Sequence, residues 1–181
     1  MPAFYERDPA GIPRAWLARI RRSMAVLSPR FSATRMLRDY LDQAYLPAAA
    51  ALRRRLADGA AAARSLCAWE HRLRRGWKSL HIGTPDMIAE ADGWACHVPV
   101  YLGEIRAEDV RVEIFADPTA TAPGVALALD RGAPVPGAVN GFTYSGRVAT
   151  ARPRTDFTVR ILPAHPEARV PAELPLIRWQ E

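Results

Sequence analysis

The side chains with the most chemical reach in this chain are four histidines, two cysteines and a single lysine. His71, His81, His97 and His165 stand alone, none at the spacing of a metal-binding pair. Cys96 and His97 are neighbours. On a strand they project to opposite faces, which argues against both a shared metal and a thiolate–imidazole pair. Cys67 and Cys96 lie far apart in unlike contexts and read as two buried thiols rather than a disulfide. Lys78 could form a Schiff base, but between Trp77 and Ser79, at the end of a basic helix, it reads as a solvated helix terminus. The adjacent acids Glu108 and Asp109 read as a turn or a solvated strand edge. No phosphate-cradling glycine loop, nucleophile elbow or dinucleotide fingerprint occurs. The expected set of catalytic, cofactor-binding and metal-ligating residues is therefore empty.

Binding chemistry has two candidates. The runs Arg19-Ile20-Arg21-Arg22, Arg53-Arg54-Arg55 and Arg72-Leu73-Arg74-Arg75 could grip a polyanion. No zinc-finger, RNA-binding or helix-turn-helix signature accompanies them, so solvated helix faces, or faces meeting an acidic partner domain, are the better reading. Large aromatic side chains in the second half could stack on sugar. Most of them are needed inside a core. Trp94 and Tyr144 are retained as speculative glycan contacts, with Tyr144, beside Gly146, expected to be the exposed one.

The elements that must carry these residues fall into two regions. Residues 1–80 hold 16 of the 25 basic side chains and 6 of the 19 acidic ones, while residues 81–181 hold 9 and 13. Proline shifts the other way, from 5 to 11. A boundary near His81–Pro85 follows. In the first region Pro13 opens a helix whose apolar positions Trp16, Leu17, Ile20, Met24 and Leu27 recur at helical spacing, and Ser28-Pro29 stops it. Ser32 caps a second helix, with Phe31 and Met36 placed as a hydrophobic staple and a stripe of Met36, Leu37, Tyr40 and Leu41 running to Leu46-Pro47. A long third helix, about 48–80, repeats Leu52, Leu56, Gly59, Ala63, Leu66, Leu73, Trp77 and Leu80, broken only by Glu70. Asp58-Gly59 can divide it.

The second region reads as antiparallel strands at 94–102, 110–116, 124–129, 142–150, 157–162 and 176–179. The alternation is clearest in Val110-Arg111-Val112-Glu113-Ile114. The expected class is α+β, with helices followed by an immunoglobulin-like β-sandwich. The expected divisions are 1–47, 48–82 and 83–181. No stretch is long and apolar enough for a membrane span, and the first residues, with Glu6 and Asp8, do not read as a signal peptide. A cytoplasmic location is the resulting expectation.

The stretch Phe4-Tyr5-Glu6-Arg7-Asp8-Pro9-Ala10-Gly11-Ile12-Pro13-Arg14-Ala15-Trp16 resembles the segment leading into the end of the catalytic unit of α-glucan phosphorylases. The similarity continues through Ile20 and Met24-Ala25 to Arg30-Phe31-Ser32-Ala33-Thr34-Arg35-Met36-Leu37 and Tyr40. More loosely, Val98, Val100, Leu102-Gly103, Asp109-Val110, Val112-Glu113 and Phe157–Pro163 resemble the C-terminal extension of the shorter bacterial members. The resemblance makes Trp16, Phe31, Ser32, Arg35 and Tyr40 structural motif positions. It implies that the helices close a GT-B-like catalytic unit, the last one crossing back between its lobes.

The family cleaves α-1,4-glucans with phosphate, yielding glucose 1-phosphate, and holds pyridoxal phosphate on a lysine. That lysine's context has no counterpart here, so the resemblance implies a C-terminal fragment that binds no cofactor and has no catalysis of its own. The implied partner is the rest of a phosphorylase catalytic unit, or a second copy through residues 13–46. A stand-alone carbohydrate-binding or interaction module, taking an α-glucan, is the first alternative, and a basic nucleic-acid-binding protein the second.

Overall fold

The computed structural model describes residues 2–180. Helices come first: α1 (Pro2–Tyr5), α2 (Arg14–Arg30), α3 (Ala33–Tyr40) and α4 (Leu46–Gly76), with a π turn over Leu41–Tyr45 between the last two. The strands follow: β1 (His81–Ile82), β2 (Asp86–Glu90), β3 (Gly93–Tyr101), β4 (Val110–Ala116), β5 (Val125–Ala128), β6 (Asp130–Pro134), β7 (Gly141–Ala149), β8 (Thr158–Pro163) and β9 (Arg178–Trp179). The described residues divide between Arg54 and Arg55 into two units.

In the first unit, local hydrogen bonds set the helix ends. The Asp8 carboxylate accepts from the Ala10 and Ile12 N–H groups, both at 2.9 Å, and from Arg14 Nε at 2.5 Å. These bonds, the Ile12 one foremost, hold the Asp8 carboxyl below its ordinary range. Ser32 caps α3, its hydroxyl accepting the Arg35 N–H at 3.2 Å. The staple expected beside it does not close, because Phe31 and Met36 both stay exposed. Of the two expected proline stops, the first holds, since α2 ends at Arg30, and the second does not. Pro29 lies in the last turn of α2, where one bond is lost and the Phe31 N–H closes on Leu27 O at 2.8 Å. Pro47 lies in the first turn of α4, past a π turn whose closing bond runs from the Leu46 N–H to Leu41 O.

Helix α4 is interrupted at 57–60. Asp58, Gly59 and Ala60 take φ of 50°, 63° and 64°, a left-handed conformation free to glycine and costly to alanine. The break resets the helical phase. Leu52 and Leu56, expected in a continuous seam, are 58% and 61% exposed. Beyond the break the seam runs Leu66, Trp69, Leu73, Gly76, so Trp69 fills the place where Glu70 had seemed to interrupt it. Gly76 permits a close approach: a Cβ there would lie 2.8 Å from the Cγ1 of buried Ile105.

Two antiparallel sheets complete the second unit, confirming the α+β class. One has the order β1-β3-β7-β6, with β2 also paired to β3; the other is β5-β4-β8-β9. Inward residues of both enter one core: Cys96, Val98 and Val100 of β3, Val112 and Ile114 of β4, and Val159 and Ile161 of β8, together with Trp69 and Leu73 of α4. The six strands read from alternation are present with shifted ends. The short β1, β2 and β6 were not read. Every residue of β6 is exposed, and its sequence Asp-Arg-Gly-Ala-Pro has no apolar alternation.

Candidate functional site

The residues with reactive side chains do not converge. Cys96 is buried in β3, where burial first, and the charge of Asp86 second, push its thiol up to about 11. His97, next along the strand, is exposed on the other face. Cys67, expected to be buried, is exposed on α4. The His81 ring lies 5.8 Å from that of Tyr101. His165 lies 5.2 Å from Trp69, and its Nδ1 accepts the Glu167 N–H at 3.1 Å. Among the described residues no three His, Cys, Asp or Glu side chains gather as metal ligands. Lys78 is exposed in the short 3₁₀ turn Trp77–Ser79.

Many of the charged side chains in the second unit are spent on one another. Asp109, expected at a solvated edge, is buried. Its carboxylate accepts Arg72 Nε at 3.2 Å and an Arg72 terminal nitrogen at 3.1 Å, and its carbonyl accepts Trp69 Nε1 at 3.3 Å. Burial is tolerable there because the charge is paired. Arg74 pairs with Glu70 one turn away at 2.8 Å. Arg55 grips both Glu173 oxygens at 2.8 Å and also donates to the Glu167 carbonyl. The hydrogen bonding between Arg55 and the Glu173 carboxylate raises the Arg55 pKa and lowers that of Glu173. Arg55 and Arg72 thus tie α4 to the loops around the sheets, while Arg74 pairs within the helix.

The speculative sugar contacts behave differently from each other. Tyr144 is 4% exposed, not the surface ring expected, because its alternating position on β7 turns it into the core. Its hydroxyl has no partner, and burial raises its pKa against the opposing charge of Arg131. Trp94 is half-buried and donates from Nε1 to the Arg152 carbonyl at 2.9 Å. An accessible aromatic of the second unit is Trp179, 41% exposed, edge-on to Phe115 at 5.5 Å with the Arg160 guanidinium 3.9 Å from the Phe115 ring centre. Arg160 in turn binds buried Glu113 at 2.8 Å. The sequence carried this cluster as the outward residues of β4, Glu113 and Phe115, two apart.

The motif positions Trp16, Arg35 and Tyr40 make contacts within the first unit. Trp16 packs edge-on against Phe4 at 5.8 Å, Arg35 pairs with Asp39 at 3.1 Å, and Tyr40 lies 6.4 Å from Tyr45. No residue of α2 or α3 is buried.

Comparison with known proteins places this architecture. The profile of the glycogen phosphorylase C-terminal domain matches residues 77–181. Glycogen phosphorylase of Mycobacterium tuberculosis (strain ATCC 25618 / H37Rv) is 30% identical over 97% of this chain. Maltodextrin phosphorylase of Thermococcus litoralis is 25% identical over 99% of it. A shorter match, 36% identical over 45 residues, is to glycogen phosphorylase of Aquifex aeolicus. The chain spans 21% of the length of the first two. No solved structure matches it significantly. With residues 77–181, more than half of it, matched by that profile, the chain belongs to the glycogen phosphorylase C-terminal domain family.

Proposed function

We propose that this chain is the C-terminal portion of an α-glucan phosphorylase, structural in role and without catalytic residues of its own. The complete enzyme would cleave α-1,4-glucan with phosphate to give glucose 1-phosphate in the cytoplasm. The observation that carries the reading is the pair of unburied helices. Ile20, Met24 and Leu27 on α2, and Met36, Leu37, Tyr40 and Leu41 on α3 and the turn after it, are all exposed. An apolar stripe of this kind marks a surface made to be covered. On this reading residues 13–46 pack on the remainder of a GT-B-like catalytic unit. The two sheets are an immunoglobulin-like sandwich appended to it.

Pyridoxal phosphate does not fit the residues present. The one lysine, Lys78, sits exposed in a 3₁₀ turn next to Trp77, where nothing would shield an imine from water. The cofactor belongs to the other part of the enzyme. Tyr144 in the core speaks against a stacking platform, and arginines engaged by carboxylates speak against a nucleic-acid grip.

The test is assembly. Co-expressed with the catalytic portion of a phosphorylase that lacks this region, the chain should co-purify with it. Glucose 1-phosphate should form from maltodextrin and phosphate only with both parts. Phosphorolysis by this chain alone, with pyridoxal phosphate supplied, would overturn the reading.

A further inference from the structure

One face of the first sheet has polar side chains that the protein does not use. Asp86 on β2 stands opposite His97 on β3, His97 opposite Ser145 on β7, and Ser145 opposite Asp130 on β6. Four strands thus contribute one polar side chain each to a single row. Burial of Cys96 and Val98, on either side of His97, fixes that row on the face away from the core. One step along the same face, Arg147 reaches Glu90 at 3.1 Å. A groove of about 400 Å³ crosses these rows, with small side chains, Ala95 and Ser145, in its lining and the half-exposed Ile88 on its wall. Among the described residues, His97, Ser145 and Asp130 make no side-chain hydrogen bond, whereas Arg55, Arg72 and Arg160 each have carboxylate partners.

We infer that this groove is a binding site for a neutral, hydroxyl-rich chain, and that its occupant is a linear segment of α-glucan. Three features select that chemistry. Asp86, Glu90 and Asp130 outweigh Arg147, so the face repels phosphates and nucleic acid. Carboxylates accept while histidine and serine both donate and accept, which matches hydroxyl groups that do both. Strands lie ~4.8 Å apart, about the length of one pyranose unit, so the row offers one hydrogen-bonding side chain per sugar. The choice of glucan rests on the proposed phosphorylase reading; the neutral polyol character rests on the groove alone.

The experiment is an NMR titration of the full chain with maltoheptaose. Binding should shift the amides of β2, β3 and β7 around Asp86, His97 and Ser145, and added salt should leave the affinity unchanged. His97→Ala and Asp130→Ala, both at exposed positions, should each weaken it about five- to tenfold, as loss of one or two hydrogen bonds does. Lys78→Ala should bind as the parent does. The inference is overturned if saturating maltoheptaose leaves these amides unmoved, if both groove variants bind unchanged, or if binding falls steeply with salt. Co-purification with the catalytic portion and no response to sugar would sink the groove alone. A sugar response without co-purification would sink the assembly reading alone.

Discussion

At the scale of single residues, the buried Asp109 carboxylate and its Arg72 partner give the clearest energetic consequence. Arg72→Ala strands a buried charge, whereas the pair itself adds little over an apolar substitute. Arg72 is partly exposed, so water screens part of the loss, and the expected destabilisation is about 2 kcal/mol by urea unfolding. Adding Asp109→Asn should recover part of it, since a neutral side chain is less costly to bury. No recovery in that double variant would show that the charge is not what matters. The two thiols make a second residue-scale prediction. Cys67 is exposed, while Cys96 is buried with its pKa pushed up to about 11. A thiol-specific disulfide reagent at neutral pH should therefore label one cysteine in the native chain and two in denaturant. Cys67→Ser should abolish the native reaction. Fast labelling of Cys96 in the folded protein would contradict its burial.

At the scale of elements, the close approach of α4 to the loop before β4 reverses an ordinary rule. Alanine in place of a glycine with helical backbone usually stabilises, by up to about 1 kcal/mol. At Gly76 the new methyl would meet Ile105 Cγ1 at 2.8 Å, and Ile105 is buried. Gly76→Ala should therefore destabilise, by about 1–3 kcal/mol as an overpacked core does. Ala60→Gly should do the opposite, relieving a left-handed alanine and raising the thermal midpoint slightly. These elements show what a sequence discloses of its fold. Val110–Ile114 announced β4 because one of its faces is apolar and enters the core while the other carries the charges of Arg111 and Glu113. β6 announced nothing, since an exposed edge strand needs no apolar residue. Tyr144 was expected at the surface because Gly146 lies near it on the strand, while strand parity placed it in the core. The Arg72–Asp109 tie could not be read, because its partners are 37 residues apart and only the fold brings them together. The row on the first sheet was hidden for the same reason: its four members come from four strands.

At the scale of the whole molecule, acid and truncation both test what holds the second unit together. Glu173 has its carboxyl lowered below the ordinary value of 4.5, chiefly by the hydrogen bond from Arg55. A lowered carboxyl stabilises the fold above that ordinary value, and the contribution disappears as pH falls through the lowered one. Acidification through that lowered value should therefore loosen Arg55 from Glu173, which hydrogen exchange around residues 167–174 would report. Truncation is the sharper test. The family profile begins at residue 77, yet Trp69 and Leu73 lie in the core shared by both sheets. A chain beginning at Trp77 leaves a hole where those two side chains stood. Each large-to-small loss in a core costs about 3–5 kcal/mol. Their sum approaches the whole stability of an ordinary domain, roughly 5–15 kcal/mol. A chain starting at Ala48 keeps both residues, along with Arg55 and Arg72, and discards most of the exposed stripe of α2 and α3. It should be monomeric by sedimentation and unfold cooperatively, while the full chain self-associates and binds a hydrophobic dye. The chain starting at Trp77 should be unfolded or nearly so. If that shortest chain instead melts at the same temperature as the chain from Ala48, the helix is not part of the core, and the boundary of the domain lies where the profile begins.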